Sequence, residues 1–196
     1  MKGHLVVVVG PDGVGKTTLA RHLLKSWPGP HGYCHFRPRI TSGMSVEPPE
    51  NATVQPKASG QGWRVAGWIR LLRTIALFWL GYLIRIRPIL RENGLVVADR
   101  WAYGYVVQPE AVKFYGPESL ARSALRILPK PTLVVIADAP VDVVFDRKQE
   151  LTKDQIRSEL EKWNSIPFPR SVRIDTTVDP SASAKRILAI ISDETT

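Results

Sequence analysis

The sequence predicts an α/β fold built on a parallel sheet, and two patterns support this. Short runs of β-branched and other apolar residues recur along the chain, as expected of strands that are buried on both faces. Between these runs lie longer segments with helical periodicity, so strands and helices alternate. The length of 196 residues suits one domain with a single core, and 44% of the residues are apolar, as in ordinary globular proteins.

The first 62 residues are predicted to hold two strands, one helix and a loop. Residues 5–9 form a continuous apolar run, and residues 33–37 are predicted to form a second, short strand. Leucines line one face of residues 17–26 and Pro28 follows, so we expect a helix that ends before the proline. Residues 41–62 are rich in Ser, Gly, Pro, Asn and Gln, and we expect them to form a long mobile loop.

Residues 63–91 show the longest helical pattern, with a predicted break near Gly81. Between Ile75 and Ile84 the apolar residues cover more than one helical face, which indicates that this segment is buried on two sides. The sheet would cover one of these sides. A homodimer formed through residues 63–91 would cover the other, although another helix of the same chain explains the pattern equally well.

The remaining predicted elements continue the alternation toward the C-terminus. A strand over residues 95–98 ends at Asp99. Beyond it, the predicted helices are 118–127, 151–163 and 183–191, and the predicted strands are 133–137 and 172–174. We therefore expect residues 1–196 to form one domain.

The net charge indicates which kind of ligand the protein binds, and the cysteine content indicates the cellular compartment. The chain carries 27 Lys and Arg against 18 Asp and Glu, a formal net charge of +9 that suits phosphate-bearing ligands. No nucleic-acid-binding motif is present, so we expect no nucleic-acid partner. The most apolar stretch, residues 75–84, is too short for a membrane span, and the arginines around it indicate a solvated helix face rather than a membrane contact. Cys34 is the only cysteine and no signal sequence is evident, so we expect a cytoplasmic protein.

The strongest functional signal is the sequence GPDGVGKT at residues 10–17, which matches the P-loop pattern of Gly, four residues and Gly-Lys-Ser/Thr. Glycines let the backbone curl so that successive N–H groups face phosphate oxygens, and the helix that follows adds its positive end. We expect Lys16 to bridge the β- and γ-phosphates of ATP, and the Thr17 hydroxyl to bind Mg²⁺. The predicted ATP-binding residues in this segment are Asp12, Gly13, Val14, Gly15, Lys16, Thr17 and Thr18.

A second signal is the carboxylate of Asp99 at the end of a predicted strand. In an open parallel sheet, ligands bind beside the carboxyl ends of the strands. A carboxylate there can hold Mg²⁺, and its pairing with the P-loop strengthens an otherwise weak pattern.

Together, the P-loop with Asp12, the pair Asp99-Arg100 and the stretch IRPIL at residues 86–90 resemble thymidylate kinase. The resemblance covers roughly residues 5–191. It implies a P-loop kinase fold, in which a five-stranded parallel sheet is flanked by helices and often dimerises through them. It also implies ATP and Mg²⁺ as donor and cofactor, and a small anionic acceptor of the nucleoside monophosphate type.

The resemblance also implies roles for individual residues. Asp12 would contact a sugar hydroxyl of the acceptor, and Arg37 and Arg100 would bind its phosphate. Asp175 and Thr176, directly after the last predicted strand, would lie beside the adenine of ATP.

The chain departs from the family where the acceptor base is read. The thymine-reading arginine of the family would fall at Phe78, and Trp101 replaces the Tyr or His of the Asp-Arg-Tyr/His motif. We place both aromatic residues at the acceptor and regard dTMP itself as a doubtful substrate.

The P-loop also lacks an arginine at its four variable positions, residues 11–14. Charge on the transferring phosphoryl group would then come from a lid at residues 146–158, with Arg147 as the catalytic cation and Arg157 behind it. The alternative is that these cations pair with neighbouring acids on a solvated helix.

The predicted catalytic residues are therefore Lys16, Arg100 and Arg147, with Thr17 and Asp99 at the metal. Two alternatives to a nucleotide kinase stay open: a kinase for a sugar, sugar phosphate or secondary metabolite, and an ATP-binding regulatory module. His31, Cys34 and His35 are spaced too closely for a structural zinc site.

Overall fold

The computed structural model describes residues 3–36, 44–48, 64–109 and 117–193, and for residues 64–71 it describes the backbone alone. These residues confirm the predicted architecture: a five-stranded sheet, parallel throughout, in the order β2–β3–β1–β4–β5. The strands are β1 His4–Val9, β2 His31–His35, β3 Leu95–Asp99, β4 Leu133–Asp138 and β5 Ser171–Asp175.

The strand order places the ends of three neighbouring strands at one edge of the sheet. In the pairing of β1 with β3, Val8 lies opposite Asp99, and in the pairing of β2 with β3, His35 lies opposite the same residue. The chain builds the sheet on one side of β1 with β2 and β3 and on the other side with β4 and β5. In doubly wound sheets, such a reversal of strand order marks the position of the ligand crevice.

The helical elements cover both faces of this sheet. Among the described residues they are α1 Lys16–Ser26, α2 Arg64–Gly81, a π-helical segment Tyr82–Ile86, α3 Arg87–Arg91, a 3₁₀ turn Trp101–Tyr103, α4 Gly104–Val107, α5 Glu118–Ile127, α6 Val141–Arg147, α7 Lys153–Asn164 and α8 Pro180–Ser192. The predicted break near Gly81 is a change of hydrogen-bonding pattern and not an interruption, because the backbone stays helical at Gly81, where α2 passes directly into the π segment and then α3. The turn at 101–103, α4 and α6 were not predicted.

Alternation along β1 divides the core between the two faces of the sheet. Val6 and Val8 belong to one buried cluster, which α1 and α8 help to cover. Leu5, Val7 and Val9 belong to the other cluster, which includes the buried aromatic residues of the helices on that face. Because successive side chains of a strand point to opposite faces, this division follows from the five apolar residues in a row.

Only a short part of the predicted loop at 41–62 falls within the described residues. Residues 44–48 run beside β2, where the backbone N–H of Tyr33 donates a 2.8 Å hydrogen bond to the Ser45 carbonyl. The mobility expected for this loop stays a prediction. No helix among the described residues is both long enough and apolar enough to cross a bilayer.

Candidate functional site

The loop between β1 and α1 has the backbone shape that the P-loop pattern predicts. Gly13 and Gly15 have φ angles of +85° and +99°, which are unfavourable for residues with a side chain. Space is restricted as well, because a Cβ atom on Gly13 would lie 3.0 Å from the Cβ of Lys148 and 3.1 Å from the Val144 carbonyl oxygen. The loop is therefore packed against α6 and can curl only as glycine.

This loop forms the floor of a cleft of about 680 Å³ at the carboxyl edge of the sheet. The cleft brings together residues from the P-loop, the ends of β2 and β3, the α6–α7 connection and the segment after β5. Its lining consists of Asp12, Gly13, Gly15, Lys16, Thr17, Thr18, Leu19, His35, Asp99, Arg100, Arg147, Lys148, Glu150, Thr176, Val178, Pro180 and Ser183.

Lys16 is held at the base of the cleft by the P-loop itself. Its side chain is only 5% exposed, and its Nζ donates a 2.7 Å hydrogen bond to the Pro11 carbonyl and lies 3.5 Å from Asp12 Oδ1. Burial and the nearby Arg100 lower the pKa of Lys16, whereas Asp99 and Asp12 act in the opposite direction. The ammonium group is thus already aimed into the loop where phosphate oxygens would bind.

Asp99 is a buried carboxylate with one oxygen bound and one free. Its Oδ2 accepts a 3.0 Å hydrogen bond from His35 Nδ1, with the Tyr33 hydroxyl at 3.5 Å, and its Oδ1 has no hydrogen-bond partner among the described residues. Burial alone would raise the pKa of Asp99, but Lys16, the His35 hydrogen bond and Arg100 together lower it to about 2. Asp99 is therefore ionised at neutral pH.

The free oxygen of Asp99 suits a divalent cation. The described residues contain no group of three or more His, Cys, Asp or Glu side chains that could hold a metal by themselves. Mg²⁺ commonly binds one or two carboxylates and takes its remaining ligands from phosphates and water. Asp99, with the hydroxyl of Thr17 across the cleft, fits that kind of shared site.

Arg100 is itself buried, and an ion pair with the partly exposed Asp12 holds it beside Asp99. Its Nη2 contacts Asp12 Oδ1, and its guanidinium lies 5.3 Å from the centroid of the Phe36 ring. The pKa of Asp12 is lowered, because the charges of Lys16, Arg100 and Lys148 outweigh the effect of burial. The Arg100 Nε has no hydrogen-bond partner among the described residues, so this cation retains donor capacity at the cleft.

Arg147 and Thr176 form the opposite wall of the cleft. Arg147 Nη2 donates a 3.0 Å hydrogen bond to the Thr176 carbonyl, and the Thr176 hydroxyl lies 3.1 Å from the Asp138 carbonyl and 2.5 Å from the Val14 carbonyl. This network ties α6, β4 and the P-loop together. The predicted partner of Arg147 does not join it, because Arg157 pairs with Asp154 on an exposed face.

Several predicted site residues lie elsewhere. Phe78 and Trp101 are buried in the core, where their rings pack edge to face at 5.1 Å, and neither lines the cleft. The prediction placed both at the acceptor, but their apolar surfaces are used to fill the space between α2 and the turn after β3. Asp175 does not line the cleft, and its carboxylate accepts hydrogen bonds from the backbone N–H and the hydroxyl of Thr177. The Val14 side chain is buried in the core, so the contact with ATP predicted for Val14 would be made by its backbone and stays a prediction. Arg37 lies outside the described residues.

Sequence reasoning gave His35 no role at this cleft, and it placed Lys148 only within the predicted lid beside Arg147. His35 is the last residue of β2, the strand next to β3, and Lys148 follows α6 against Gly13. The second strand was predicted over residues 33–37, so His35 was expected inside the strand, and no sequence signal placed it at the carboxyl end where β2 meets the cleft.

Comparison with known proteins agrees with this geometry at the level of the fold. No family model matches the sequence, and no curated protein matches it by sequence. Among solved structures, a thymidylate kinase from Candida albicans matches with a TM-score of 0.55 and 15% identity, over 99% of this chain and 93% of that chain. A thymidylate kinase from Ehrlichia chaffeensis matches with a TM-score of 0.54 and 16% identity, over 97% of this chain and 100% of that chain.

The chain therefore has the fold of the P-loop kinases, with the glycine-rich loop of the P-loop pattern in its expected place between β1 and α1. Within that class its architecture is the thymidylate kinase fold, at low sequence identity.

The depressed pKa of Asp99 predicts how the stability of the protein depends on pH. The folded-state pKa of about 2 lies below the roughly 3.9 of an unfolded aspartate, so the unfolded chain binds this proton first as the pH falls. The stabilisation is present above pH 4 and is lost toward pH 2. Between pH 6 and pH 3 we expect wild type to lose about 1 kcal/mol more unfolding free energy than Asp99→Asn.

Urea unfolding at the two pH values measures this difference, since the other carboxyl groups contribute to both proteins alike. Equal losses in the two proteins would mean that Asp99 is not held ionised by its neighbours.

Proposed function

We propose that this protein is a Mg²⁺- and ATP-dependent phosphotransferase that acts on a small anionic acceptor. The observation that carries the proposal is that Lys16 of the P-loop shares one cleft with the free oxygen of Asp99 and with the buried cation Arg100. A phosphate-binding loop, a metal carboxylate and an acceptor cation are the parts that phosphoryl transfer requires, since its catalysis consists mainly of positioning and charge neutralisation.

The ATP side of the site would use the backbone of residues 12–17 and the positive end of α1. Lys16 would leave the Pro11 carbonyl to bind the β- and γ-phosphates. Thr17 and Asp99 would hold Mg²⁺, which when bound neutralises charge on the phosphates. Thr176 and Arg147 would flank the nucleotide at the far wall.

The acceptor side would use Arg100 and Asp12. Arg100 is a buried guanidinium, the group best suited to hold a phosphate or carboxylate through two hydrogen bonds. Asp12 would contact an acceptor hydroxyl. A nucleoside monophosphate meets both requirements, and the two similar structures reported above are thymidylate kinases.

A second candidate function is phosphorylation of a sugar, a sugar phosphate or a secondary metabolite. The burial of Phe78 and Trp101 favours it, because neither residue is available to read a base in the cleft. An ATP-binding regulatory module is the third candidate, and the buried Arg100 at the cleft argues against it. ADP release measured with dTMP, dUMP, CMP, UMP and a set of sugars and sugar phosphates separates the three candidates. A nucleotide kinase would release ADP with a nucleoside monophosphate, and a small-molecule kinase would release it with a sugar or sugar phosphate. A regulatory module would show no acceptor-dependent release.

We also propose that α2 and the π segment form a homodimer interface. Five of the eight large apolar side chains that are exposed among the described residues lie here, at spacings that put them on one side: Leu72, Trp79, Leu80, Leu83 and Ile84. A concentration of exposed apolar surface on one helix face marks an interaction site, and two-fold dimers are the commonest assembly of soluble proteins.

For the P-loop, we predict that Lys16→Ala lowers the rate of phosphoryl transfer by at least about a hundredfold, because the ammonium group neutralises charge that develops on the phosphates. The matched control is Lys25→Ala on the same helix, whose exposed side chain pairs with Glu47 at 3.8 Å. Steady-state turnover and circular dichroism decide the matter. A folded Lys16→Ala enzyme with more than about a tenth of the wild-type rate would refute the assignment.

For the far wall, we predict that Arg147→Ala lowers kcat by about a hundredfold while the affinity for ATP changes little, because its charge is needed most in the transition state. The control is Arg122→Ala, which removes an exposed arginine paired with Glu118 on α5. Kinetics on both variants provide the test. A kcat within about threefold of wild type in Arg147→Ala would return this residue to a surface role.

For the interface, we predict that the double variant Leu80→Asp/Leu83→Asp is a monomer, since buried unpaired carboxylates oppose association. Ala189→Asp/Ser192→Asp introduces the same charges at the same spacing on exposed positions of α8 and should leave the dimer intact. Light scattering after size exclusion gives the masses. A monomeric wild type at micromolar concentration, or a dimeric Leu80→Asp/Leu83→Asp, would contradict the proposal.

A further inference from the structure

The two carboxylate oxygens of Asp99 are in different environments, because His35 forms a hydrogen bond with only one of them. Oδ2 accepts the 3.0 Å hydrogen bond from His35 Nδ1, whereas Oδ1 has no partner among the described residues although it is buried. A buried carboxylate oxygen without a partner is unusual in a folded protein and calls for an explanation. A cation that binds together with the nucleotide would give Oδ1 the missing partner.

The direction of the His35–Asp99 hydrogen bond follows from the chemistry of the two groups. An ionised carboxylate has no proton to give, so the hydrogen of this contact belongs to Nδ1 of His35. The Tyr33 hydroxyl, at 3.5 Å, approaches the same oxygen, and burial next to Asp99 raises the pKa of Tyr33, so it too remains a donor. Both neighbours therefore bind Oδ2 and neither binds Oδ1.

The backbone holds His35 and Asp99 at a fixed separation. They are opposite residues in the pairing of β2 with β3, and the backbone N–H of Phe36 donates a 2.9 Å hydrogen bond to the Asp99 carbonyl just beyond the last pair. The imidazole is therefore a rigid support on a strand rather than a group on a loop.

Without this support, Asp99 would have other partners for its charge. Lys16 and Arg100 carry the opposite charge and line the same cleft as Asp99. A carboxylate free to rotate would turn toward those cations and present its oxygens to them. The hydrogen bond from His35 restricts that rotation and keeps Oδ1 available.

We propose that His35 is a positioning residue for the metal site, which holds Asp99 so that Oδ1 is presented to the Mg²⁺ that accompanies ATP. The inference rests on the proposed function, since it assumes that Mg²⁺ binds with the nucleotide beside Asp99. His35 itself does not contact the phosphates; it acts through Asp99, as residues behind metal ligands commonly do, and losing such a residue typically weakens metal binding 10- to 100-fold.

The test measures metal coupling rather than turnover. Calorimetry gives the dissociation constant of a non-hydrolysable ATP analogue with Mg²⁺ and with a chelator, and the ratio of the two constants reports how strongly Mg²⁺ supports binding. We expect His35→Ala to reduce this ratio by about tenfold while binding in the chelator stays near wild type.

The conservative variant is His35→Asn, because the amide nitrogen of asparagine reaches about as far as Nδ1 and can donate the same hydrogen bond. We expect it to restore the ratio to within about threefold of wild type. The matched control is His31→Ala at the start of the same strand, whose ring contacts the Gly29 carbonyl at 3.0 Å and does not line the cleft. It should keep the wild-type ratio.

The outcomes separate this inference from the proposed function. A wild-type protein whose affinity for the analogue does not depend on Mg²⁺ would refute the proposed function and the inference together. Wild-type coupling that survives Asp99→Asn would remove Asp99 from the metal site. Coupling that is lost in Asp99→Asn but unchanged in His35→Ala, or equally reduced in His35→Ala and His35→Asn, would refute the positioning role alone.

Discussion

β1 lies between β3 and β4, and its backbone hydrogen bonds to both neighbours place the P-loop beside the carboxyl ends of these two strands. Because Val8 is paired with Asp99, the carboxylate ends β3 at the level where β1 turns into the P-loop. The pairing with β4 brings the Ala137 carbonyl within 2.8 Å of where a Cβ on Gly10 would lie, so the loop must begin there with glycine. The cleft is thus a consequence of strand register, and its polar residues occupy positions that the sheet has already fixed.

The four charged groups at the centre of the cleft, Lys16, Arg100, Asp12 and Asp99, balance one another without any ligand, whereas the whole lining carries one more cation than it does acids. Lys16 and Arg100 both pair with Asp12, while Asp99 shares their field and the hydrogen bond of His35. Burying a charge is costly unless another charge or a hydrogen bond accompanies it, and each of these groups has such a companion. An arriving anion would exchange some of these contacts for its own, and the cations need not be newly desolvated when it binds.

The sequence was sufficient for the fold because its strands are continuous apolar runs and its P-loop is a specific pattern. The sequence was insufficient where the role of a residue depends on how elements distant in the chain pack together. The seven residues of α6 begin after Pro140 and span about two turns, too few for helical periodicity to be distinguished from a short strand. Phe78 and Trp101 could equally have lined a pocket or filled a core, and only the position of α2 against the turn after β3 separates these alternatives. His35 required knowledge that β2 and β3 are neighbours, which composition and spacing do not reveal.

Three residues with side chains adopt positive φ angles around the end of β3: Phe36 at +56°, Arg100 at +62° and Trp101 at +49°. Each such conformation is unfavourable by roughly 1 kcal/mol, and glycine would relieve it. Substitution by glycine at these positions would raise the stability of the protein. The same substitutions would remove the Arg100 guanidinium and the Phe36 ring that it lies over. Substitutions that stabilise this protein without loss of function are therefore expected on the helices that are remote from this turn.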